Sequence, residues 1–228
     1  MKECLRKRFS NLLSYILSSL YQTTFSKHGE IKVVVKNFST WTSIKWIPAL
    51  IFLKGIYPYT ISPIERVIRE VSFFEYQGVP KVYFWNGKYE VREYVEGNII
   101  SLEDINKVIN LVKYLHSKCW RIGDTKWDNF LKMENGKVIL IDAEQAVVDC
   151  SQKSVIADAL VGSIFLYYSK SARAIDISKL FFIEIIKGRC KSIMKYLFHP
   201  GVVLLGLLIP QTYFSALLHC FDELRGKK

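Results

Sequence analysis

The stretch of sequence that decides the fold is Tyr114-Leu-His-Ser-Lys-Cys-Trp-Arg-Ile-Gly-Asp124-Thr-Lys-Trp-Asp-Asn129-Phe-Leu. It follows a helical pattern and brings a carboxylate, an ammonium group and a side-chain amide into one short loop, at Asp124, Lys126 and Asn129. Groups that lie this close along the chain can be aimed at a single reacting centre. The loop over residues 122–130 is therefore a candidate functional site.

A second acidic loop follows thirteen residues after Asn129, in Leu140-Ile-Asp-Ala-Glu-Gln-Ala146. Its carboxylate, Asp142, stands at the end of a short apolar strand. Taken alone, Asp142 is equally explained as a turn-capping carboxylate and Asp124 as a helix cap or surface residue. The occurrence of both at this spacing favours a functional pair.

The two loops together resemble the catalytic loop and the metal-binding Asp-Phe-Gly element of protein kinases, with Ala143 and Glu144 in place of Phe and Gly. Phosphoryl transfer needs a carboxylate to orient the attacking hydroxyl, a lysine to steady the moving phosphoryl group, and oxygen ligands that hold metal on the nucleotide. The resemblance implies that ATP and Mg²⁺ (or Mn²⁺) are the cofactors. It assigns the catalytic roles to Asp124 and Lys126 and the metal-binding roles to Asn129 and Asp142.

The amino-terminal half carries a short β-branched strand that ends at Lys36 and an amphipathic helix that begins at Pro63 and carries Glu70. In the resemblance, Lys36 binds the nucleotide phosphates and Glu70 holds that lysine. A lysine at a strand end and a glutamate on an exposed helix face are also common without such a role. Lys32 and Glu65 are the alternative members of the pair.

The segment Glu93-Tyr-Val-Glu-Gly97 resembles the hinge between the two lobes of a kinase. Backbone groups at Glu93 and Val95 would bind adenine, which requires no particular side chain, and an ordinary strand end explains the same residues. The hinge would separate an amino-terminal lobe over residues 1–97 from a carboxyl-terminal lobe over residues 98–228.

The predicted fold class is therefore α+β, a two-lobed protein-kinase-like fold with a small β-rich amino-terminal lobe and a reduced helical carboxyl-terminal lobe. The first lobe would contain an amino-terminal helix, an antiparallel sheet with a hairpin at Asn86-Gly87, and one prominent helix. The second would be helical after Gly97, interrupted by a small hairpin, and helical again from about Ser154 with breaks at Pro200-Gly201 and Pro210.

Several departures from typical kinases narrow the resemblance. No glycine-rich loop precedes Lys36, and Ile122 and Gly123 stand where kinases have His and Arg before the catalytic Asp. Only fifteen residues separate Asp142 from Asp158, which leaves little room for an activation segment. Asp158 matches an aspartate that braces the catalytic loop from a helix. The chain thus looks like the compact atypical kinases, especially the RIO-type, KEOPS-associated and lipopolysaccharide (Kdo and heptose) kinases.

The composition indicates one catalytic unit that folds throughout and favours anionic partners. The 228 residues include 32 Lys and Arg and 21 Asp and Glu, which gives a formal charge of +11. Nucleotide, nucleic acid or an anionic membrane surface would suit this charge. The five cysteines are scattered, without a Cys-x-x-Cys pair, so we expect neither a disulfide framework nor a zinc site, and a reducing cytoplasm as the location.

Two segments resemble a signal peptide or a membrane-spanning helix. The basic and apolar stretch from Lys2 to Tyr21 predicts an amphipathic helix, and Gly201 to Cys220 predicts a buried pair of helices because polar residues and Pro210 interrupt it. We expect no integral membrane span.

Three functions are compatible with these features. The first is an atypical serine/threonine protein kinase that can phosphorylate itself, with Asp124 as the base or orienting group. The second is a small-molecule or glycolipid kinase, which the short segment after Asp142 favours. The third is a pseudokinase or ATPase subunit of a larger complex, such as one that handles tRNA, which the missing glycine-rich loop and the positive charge suggest.

Overall fold

The computed structural model describes residues 22–28 and 31–226. The chain folds into two compact units, of which the first takes residues up to 47 together with 61–95, and the second takes 48–60 together with 96 onwards. A single division at residue 97 stays the prediction from sequence. In the structure, residues 48–60 pack with the second unit although the first unit continues after them.

The first unit contains a four-stranded antiparallel sheet with the order β1-β2-β4-β3. Its strands are β1 (Thr23–His28), β2 (Ile31–Asn37), β3 (Val82–Trp85) and β4 (Tyr89–Glu93). Between β2 and β3 lie α1 (Thr40–Ser43), a 3₁₀ turn (Ile44–Trp46), α2 (Ile47–Phe52), which crosses the division between the units, and α3 (Pro63–Gln77). Strand β2 is central, so Lys36 has a neighbouring strand on each side.

Helix α3 forms where the sequence predicts it. The Ser62 hydroxyl caps its first turn by accepting a hydrogen bond from the Glu65 amide at 3.4 Å, and Pro63 occupies the first turn, where its missing N–H is not needed. The helix ends at Gly78, which adopts φ 80° and donates to the Phe74 carbonyl at 2.7 Å. Its buried face includes Val67, which packs with Phe38 from beyond β2.

The predicted hairpin at Asn86-Gly87 joins β3 to β4. The Asn86 amide donates to the Tyr89 carbonyl at 2.9 Å, and its side-chain oxygen accepts from the amides of Lys88 and Tyr89 at 2.8 Å. Asparagine therefore closes the turn with both its backbone and its side chain.

The second unit combines helices with two small sheets. Strands β5 (Asn98–Ile99), β7 (Phe130–Lys132) and β8 (Val138–Leu140) form one sheet, and β6 (Trp120–Arg121) pairs with β9 (Val147–Val148) in the other. The helices are α4 (Ile105–Ser117), α5 (Lys153–Tyr167), α6 (Ala174–Ile186), α7 (Cys190–Leu197), α8 (Pro200–Gly206) and α9 (Pro210–Leu224). The α+β class is thereby confirmed, with a β-rich first unit and a helical second unit.

The segment 201–220 forms two helices, as predicted, but the expectation that they are buried is wrong in part. Their inner faces are buried, whereas exposed apolar side chains lie on α8 (Leu204), in the turn between the helices (Leu207 and Leu208) and on α9 (Phe214 and Leu218). Within residues 22–28 and 31–226, no helix is both long and apolar enough to cross a bilayer. The amphipathic helix predicted over residues 2–21 lies outside the described residues.

The expectation that the cysteines form no disulfides is wrong. Cys119 pairs with Cys150 and Cys190 with Cys220, with Cα separations of 4.5 and 5.0 Å. The two cysteines of each pair lie about thirty residues apart in sequence, so tertiary packing brings them together and no local motif predicts the pairing. The cysteines therefore no longer support a location in the reducing cytoplasm, since disulfides are typical of oxidising compartments. Cytoplasmic location stays a prediction.

Candidate active site

A buried ion network occupies the first unit and includes the predicted pair Lys36 and Glu70. The Lys36 ammonium lies 2.6 Å from one carboxylate oxygen of Glu70, and both side chains are at most 1% exposed. Arg92 on β4 contacts the other oxygen of Glu70. Glu90 lies 3.7 Å from Arg92 and adds a second buried carboxylate. Two cations and two anions therefore share one buried site, and opposite charges are adjacent, as buried charge requires.

The alternative members of that pair are engaged elsewhere in the first unit. Glu65 forms an exposed ion pair with Arg69, one helical turn away at 2.5 Å. Lys32 lies over the ring of Tyr94, with its ammonium 5.7 Å from the ring centre. The geometry favours Lys36 and Glu70 as the pair, and their role toward ATP stays a prediction.

Glu90 and Arg92 belong to this network although no sequence pattern predicts it. Both lie on β4 at alternate positions, so they face the same side of the sheet, and that side is buried. Two charged residues at alternate strand positions normally mark the solvent face, so the pattern gave no sign of an interior network.

The residues predicted for the hinge lie at the end of β4. The Glu93 amide donates to the Lys81 carbonyl at 2.8 Å, and its carboxylate accepts from the Lys81 amide at 3.1 Å. The division between the units falls directly after Val95. Adenine binding by Glu93 and Val95 remains a prediction.

The catalytic loop of the second unit holds Asp124 almost completely buried, at 3% exposure. One oxygen of its carboxylate lies 3.3 Å from the Lys126 ammonium. The side-chain amide nitrogen of Asn129 donates to the main-chain oxygen of Asp124 at 2.9 Å. The three predicted side chains of the loop are thus brought together, and Asn129 keeps its amide oxygen as a ligand atom.

Asp158 braces this loop from helix α5, as predicted. Its two carboxylate oxygens accept from the amides of Gly123 at 2.6 Å and Ile122 at 3.1 Å. The ring nitrogen Nε2 of His116 lies 2.7 Å from the same carboxylate, and the Thr125 hydroxyl donates to the Asp158 carbonyl at 2.6 Å. Asp158 therefore holds the backbone before Asp124 and the Thr125 side chain after it.

Asp142 follows β8, and the β7–β8 hairpin brings its loop to the catalytic loop. Phe130 pairs with Leu140, and the Ile141 amide donates to the Asn129 carbonyl at 2.8 Å. Asn129 and Asp142 are thus held next to one another by backbone pairing. An amide oxygen and a carboxylate oxygen are among the ligand types that Mg²⁺ binds, together with phosphate oxygens and water. Binding of Mg²⁺ by Asn129 and Asp142 remains a prediction.

The electrostatics of the second unit suit a proton acceptor beside a cation. Burial raises the pKa of the Asp124 carboxyl, and Asp142 and Glu144 raise it further, while Lys126 and Asn129 oppose the change. Burial also lowers the pKa of the Lys126 ammonium, but the neighbouring carboxylates outweigh burial and the net pKa is raised. Lys126 therefore stays positively charged at neutral pH, next to a carboxylate with increased proton affinity.

The disulfide Cys119–Cys150 encloses the segment of the second unit that carries the candidate catalytic residues. Cys119 follows α4 and precedes β6, whereas Cys150 follows β9. Strands β6 and β9 pair directly beside the disulfide, through Trp120 with Val148 and Arg121 with Val147. The loop closed by this bond contains the catalytic loop and the acidic loop, so its two ends are fixed both covalently and by backbone pairing.

No protein-family model and no curated protein matches the chain. Similar solved structures include a divergent kinase that lacks the glycine-rich loop and regulates the membrane ultrastructure of the Toxoplasma parasitophorous vacuole. It is 14% identical with a TM-score of 0.41, over 90% of this chain and 88% of that one. Two structures of the bifunctional kinase-methyltransferase WbdD are 11% identical with TM-scores of 0.39, over 90% of this chain.

The chain spans about half the length of WbdD, with 47% and 48% of those two chains covered. At these levels of identity, the roles of individual residues rest on the geometry of the side chains described above.

Proposed function

We propose that the protein is an ATP-dependent phosphotransferase that requires a divalent metal. The observation that carries the proposal is the buried Asp124 carboxylate, ion-paired to Lys126 and linked through Asn129 to the loop of Asp142. This arrangement offers a base, a cation and two oxygen ligands within one short section of the chain. Those are the groups that transfer of a phosphoryl group to a hydroxyl demands.

The roles follow from the chemistry of each side chain. Asp124 orients the acceptor hydroxyl and takes its proton, which its increased proton affinity assists. Lys126 stays charged and stabilises the negative charge on the transferring phosphoryl group. Asn129 and Asp142 would hold Mg²⁺, which neutralises charge on the ATP phosphates. In the first unit, Lys36 is the candidate for phosphate binding.

For the acceptor, we propose a serine or threonine hydroxyl on a protein, including the protein itself. A specific observation supports the second candidate, a small-molecule or glycolipid kinase. Between Asp142 and the start of α5 at Lys153, the chain forms only the two-residue strand β9 and short connections. Such a segment offers little surface on which an extended peptide could bind.

The test is transfer of label from γ-labelled ATP with magnesium, first alone and then with generic protein acceptors, sugars and glycolipids. Wild type is compared with Asp124→Ala and Asp142→Ala, and Asp128→Ala is the matched control because Asp128 is an exposed acid in the same loop. Autophosphorylation that is lost in the first two variants and kept in the control supports the protein kinase.

Turnover only with a sugar or lipid acceptor supports the second candidate. Absence of any magnesium-dependent nucleotide binding by wild type would contradict both enzymatic functions. It would favour the pseudokinase form of the third function, in which the protein is a subunit of a larger complex.

A further inference from the structure

Residues 56–60, which belong to the second unit, include two tyrosines whose hydroxyl groups contact the backbone around the loop of Asp124. The Tyr59 hydroxyl donates to the Gly123 carbonyl at 2.7 Å. The Tyr57 hydroxyl lies 2.6 Å from the Gln145 carbonyl and 3.1 Å from the Arg121 carbonyl. Two adjacent tyrosines thus reach carbonyl groups on both loops that carry the candidate catalytic residues.

The same segment is joined to the acidic loop by a reciprocal pair of hydrogen bonds. The Thr60 amide donates to the side-chain oxygen of Gln145 at 3.0 Å, and the side-chain nitrogen of Gln145 donates to the Thr60 carbonyl at 2.9 Å. Gln145 lies three residues after Asp142 and is completely buried. The Gln145 side chain therefore pairs with both backbone polar groups of Thr60, as the backbone of an adjacent β-strand would.

Packing at Gly123 is too tight for any other side chain. Gly123 has φ +74°, and a Cβ atom there would lie 2.7 Å from the ring of Tyr57. The rings of Tyr57 and Tyr59 lie 4.5 Å apart and are both buried. Burial, Asp158 and Asp124 raise the pKa of Tyr59 well above its ordinary value, so its hydroxyl keeps its proton and donates at every physiological pH.

We propose that residues 56–60 form a positioning strap and that Tyr57 and Tyr59 are positioning residues for the phosphotransfer site. The strap fixes the backbone one residue before Asp124 and three residues after Asp142. This inference rests on the proposed function for its catalytic consequence. The fifteen residues between Asp142 and Asp158 leave little room for an activation segment, so another part of the chain supplies the contacts that order the two loops.

A direct consequence is that the two loops need no phosphorylation to become ordered. The contacts that hold them are hydrogen bonds of tyrosine, threonine and glutamine side chains, which are present in the unmodified chain.

The first measurement is hydrogen exchange of the full-length chain, because it reports on the loop whether or not the protein has activity. Tyr59→Phe keeps the ring and removes the donor, so the Gly123 carbonyl loses its partner in a buried place. We expect the amides of residues 122–126 to exchange about tenfold faster or more. Tyr114→Phe is the control, because Tyr114 is exposed on α4. Exchange rates in Tyr59→Phe within twofold of those in wild type would contradict the proposed role of the strap.

The second measurement is steady-state phosphotransfer. We expect Tyr59→Phe and Tyr57→Phe to lower kcat about tenfold with little change in KM for ATP, because the strap contacts the loops of Asp124 and Asp142 and leaves Lys36 untouched. A merely destabilised protein would lose active fraction in proportion to unfolding, so kcat is measured well below the melting temperature of each variant.

The outcomes separate the inference from the proposed function. If wild type transfers phosphate and Tyr59→Phe matches Tyr114→Phe in both measurements, the strap is wrong and the phosphotransferase stands. If Tyr59→Phe loosens the loop while wild type transfers nothing, the strap stands as a loop-ordering element and the phosphotransferase is wrong.

Discussion

Asn129 donates from its side-chain amide to the main-chain oxygen of Asp124 at 2.9 Å, and its own main-chain oxygen accepts from Ile141, the residue before Asp142. One residue thus links the two acidic loops of the second unit. Hydrogen bonds of this kind hold polar groups in place, which reduces the cost of ordering them during a reaction.

Asp124→Asn should abolish transfer and stabilise the protein. The raised pKa means that folding increases the proton affinity of this carboxyl, so the ionised form costs folding free energy above the folded pKa. The amide keeps the shape and removes the charge. We expect the melting temperature at pH 7 to rise and activity to fall by about 10²–10⁴-fold.

The melting curves of Asp124→Asn and wild type should converge as the pH falls toward about 4, the pKa of an aspartate in an unfolded chain. Asp128→Asn, at an exposed position of the same loop, should change neither property. A lower melting temperature for Asp124→Asn at pH 7 would contradict the electrostatic argument.

Glu70→Ala should destabilise the first unit strongly. It leaves the ammonium of Lys36 and the guanidinium of Arg92 close together in a buried site without their shared carboxylate, which costs about 3–5 kcal/mol. Glu65→Ala removes an exposed ion pair with Arg69, worth about 0–1 kcal/mol. Urea unfolding of both variants measures the difference, and equal free energies of unfolding would show that the network contributes nothing.

The two disulfides allow a matched comparison. They close loops of similar length, with separations of 31 and 30 residues, so Cys150→Ser and Cys220→Ser should each lower the free energy of unfolding by about 4 kcal/mol. Only the bond between Cys119 and Cys150 encloses the catalytic segment. We expect phosphotransfer of the folded protein to fall in Cys150→Ser and to persist in Cys220→Ser. Equal activities of the two variants would show that the candidate site does not depend on the Cys119–Cys150 disulfide.

Gly123→Ala tests the packing beside the catalytic aspartate. Both Gly123 and Gly188 have φ near +75°, but an added methyl group would meet the Tyr57 ring at Gly123 and open space at Gly188. The backbone penalty of about 1 kcal/mol is common to the two sites, and the clash adds about 1–3 kcal/mol at Gly123. Thermal unfolding of both alanine variants measures the excess, which should shrink in a Tyr57→Leu background.

The sequence predicted what depends on near neighbours. Helix α3 follows from the cap at Ser62 and the apolar period, the hairpin of β3 and β4 follows from Asn86-Gly87, and the contact of Asn129 with Asp124 follows from their separation by five residues. Each of these features is specified within a dozen or so residues, where local rules apply.

What the sequence did not reveal depends on distant contacts. Glu90 and Arg92 sit on a strand face that alternation assigns to solvent, and only the approach of Glu70 from α3 makes that face interior. The cysteine pairs and the contact of Tyr59 with Gly123 join positions about thirty and sixty residues apart. No period or motif encodes such distances.

The return of residues 48–60 to the second unit has a consequence for how the chain folds during synthesis. A ribosome that has released residues 1–95 has delivered the strands and helix of the first unit, but the partners of Tyr57, Tyr59 and Thr60 are still to be made. The contact of Tyr59 with Gly123 and that of Tyr57 with Gln145 form only after those later residues emerge. The nascent amino-terminal half is therefore expected to be sensitive to proteases by itself. Its folding is expected to finish only when the rest of the chain has been translated.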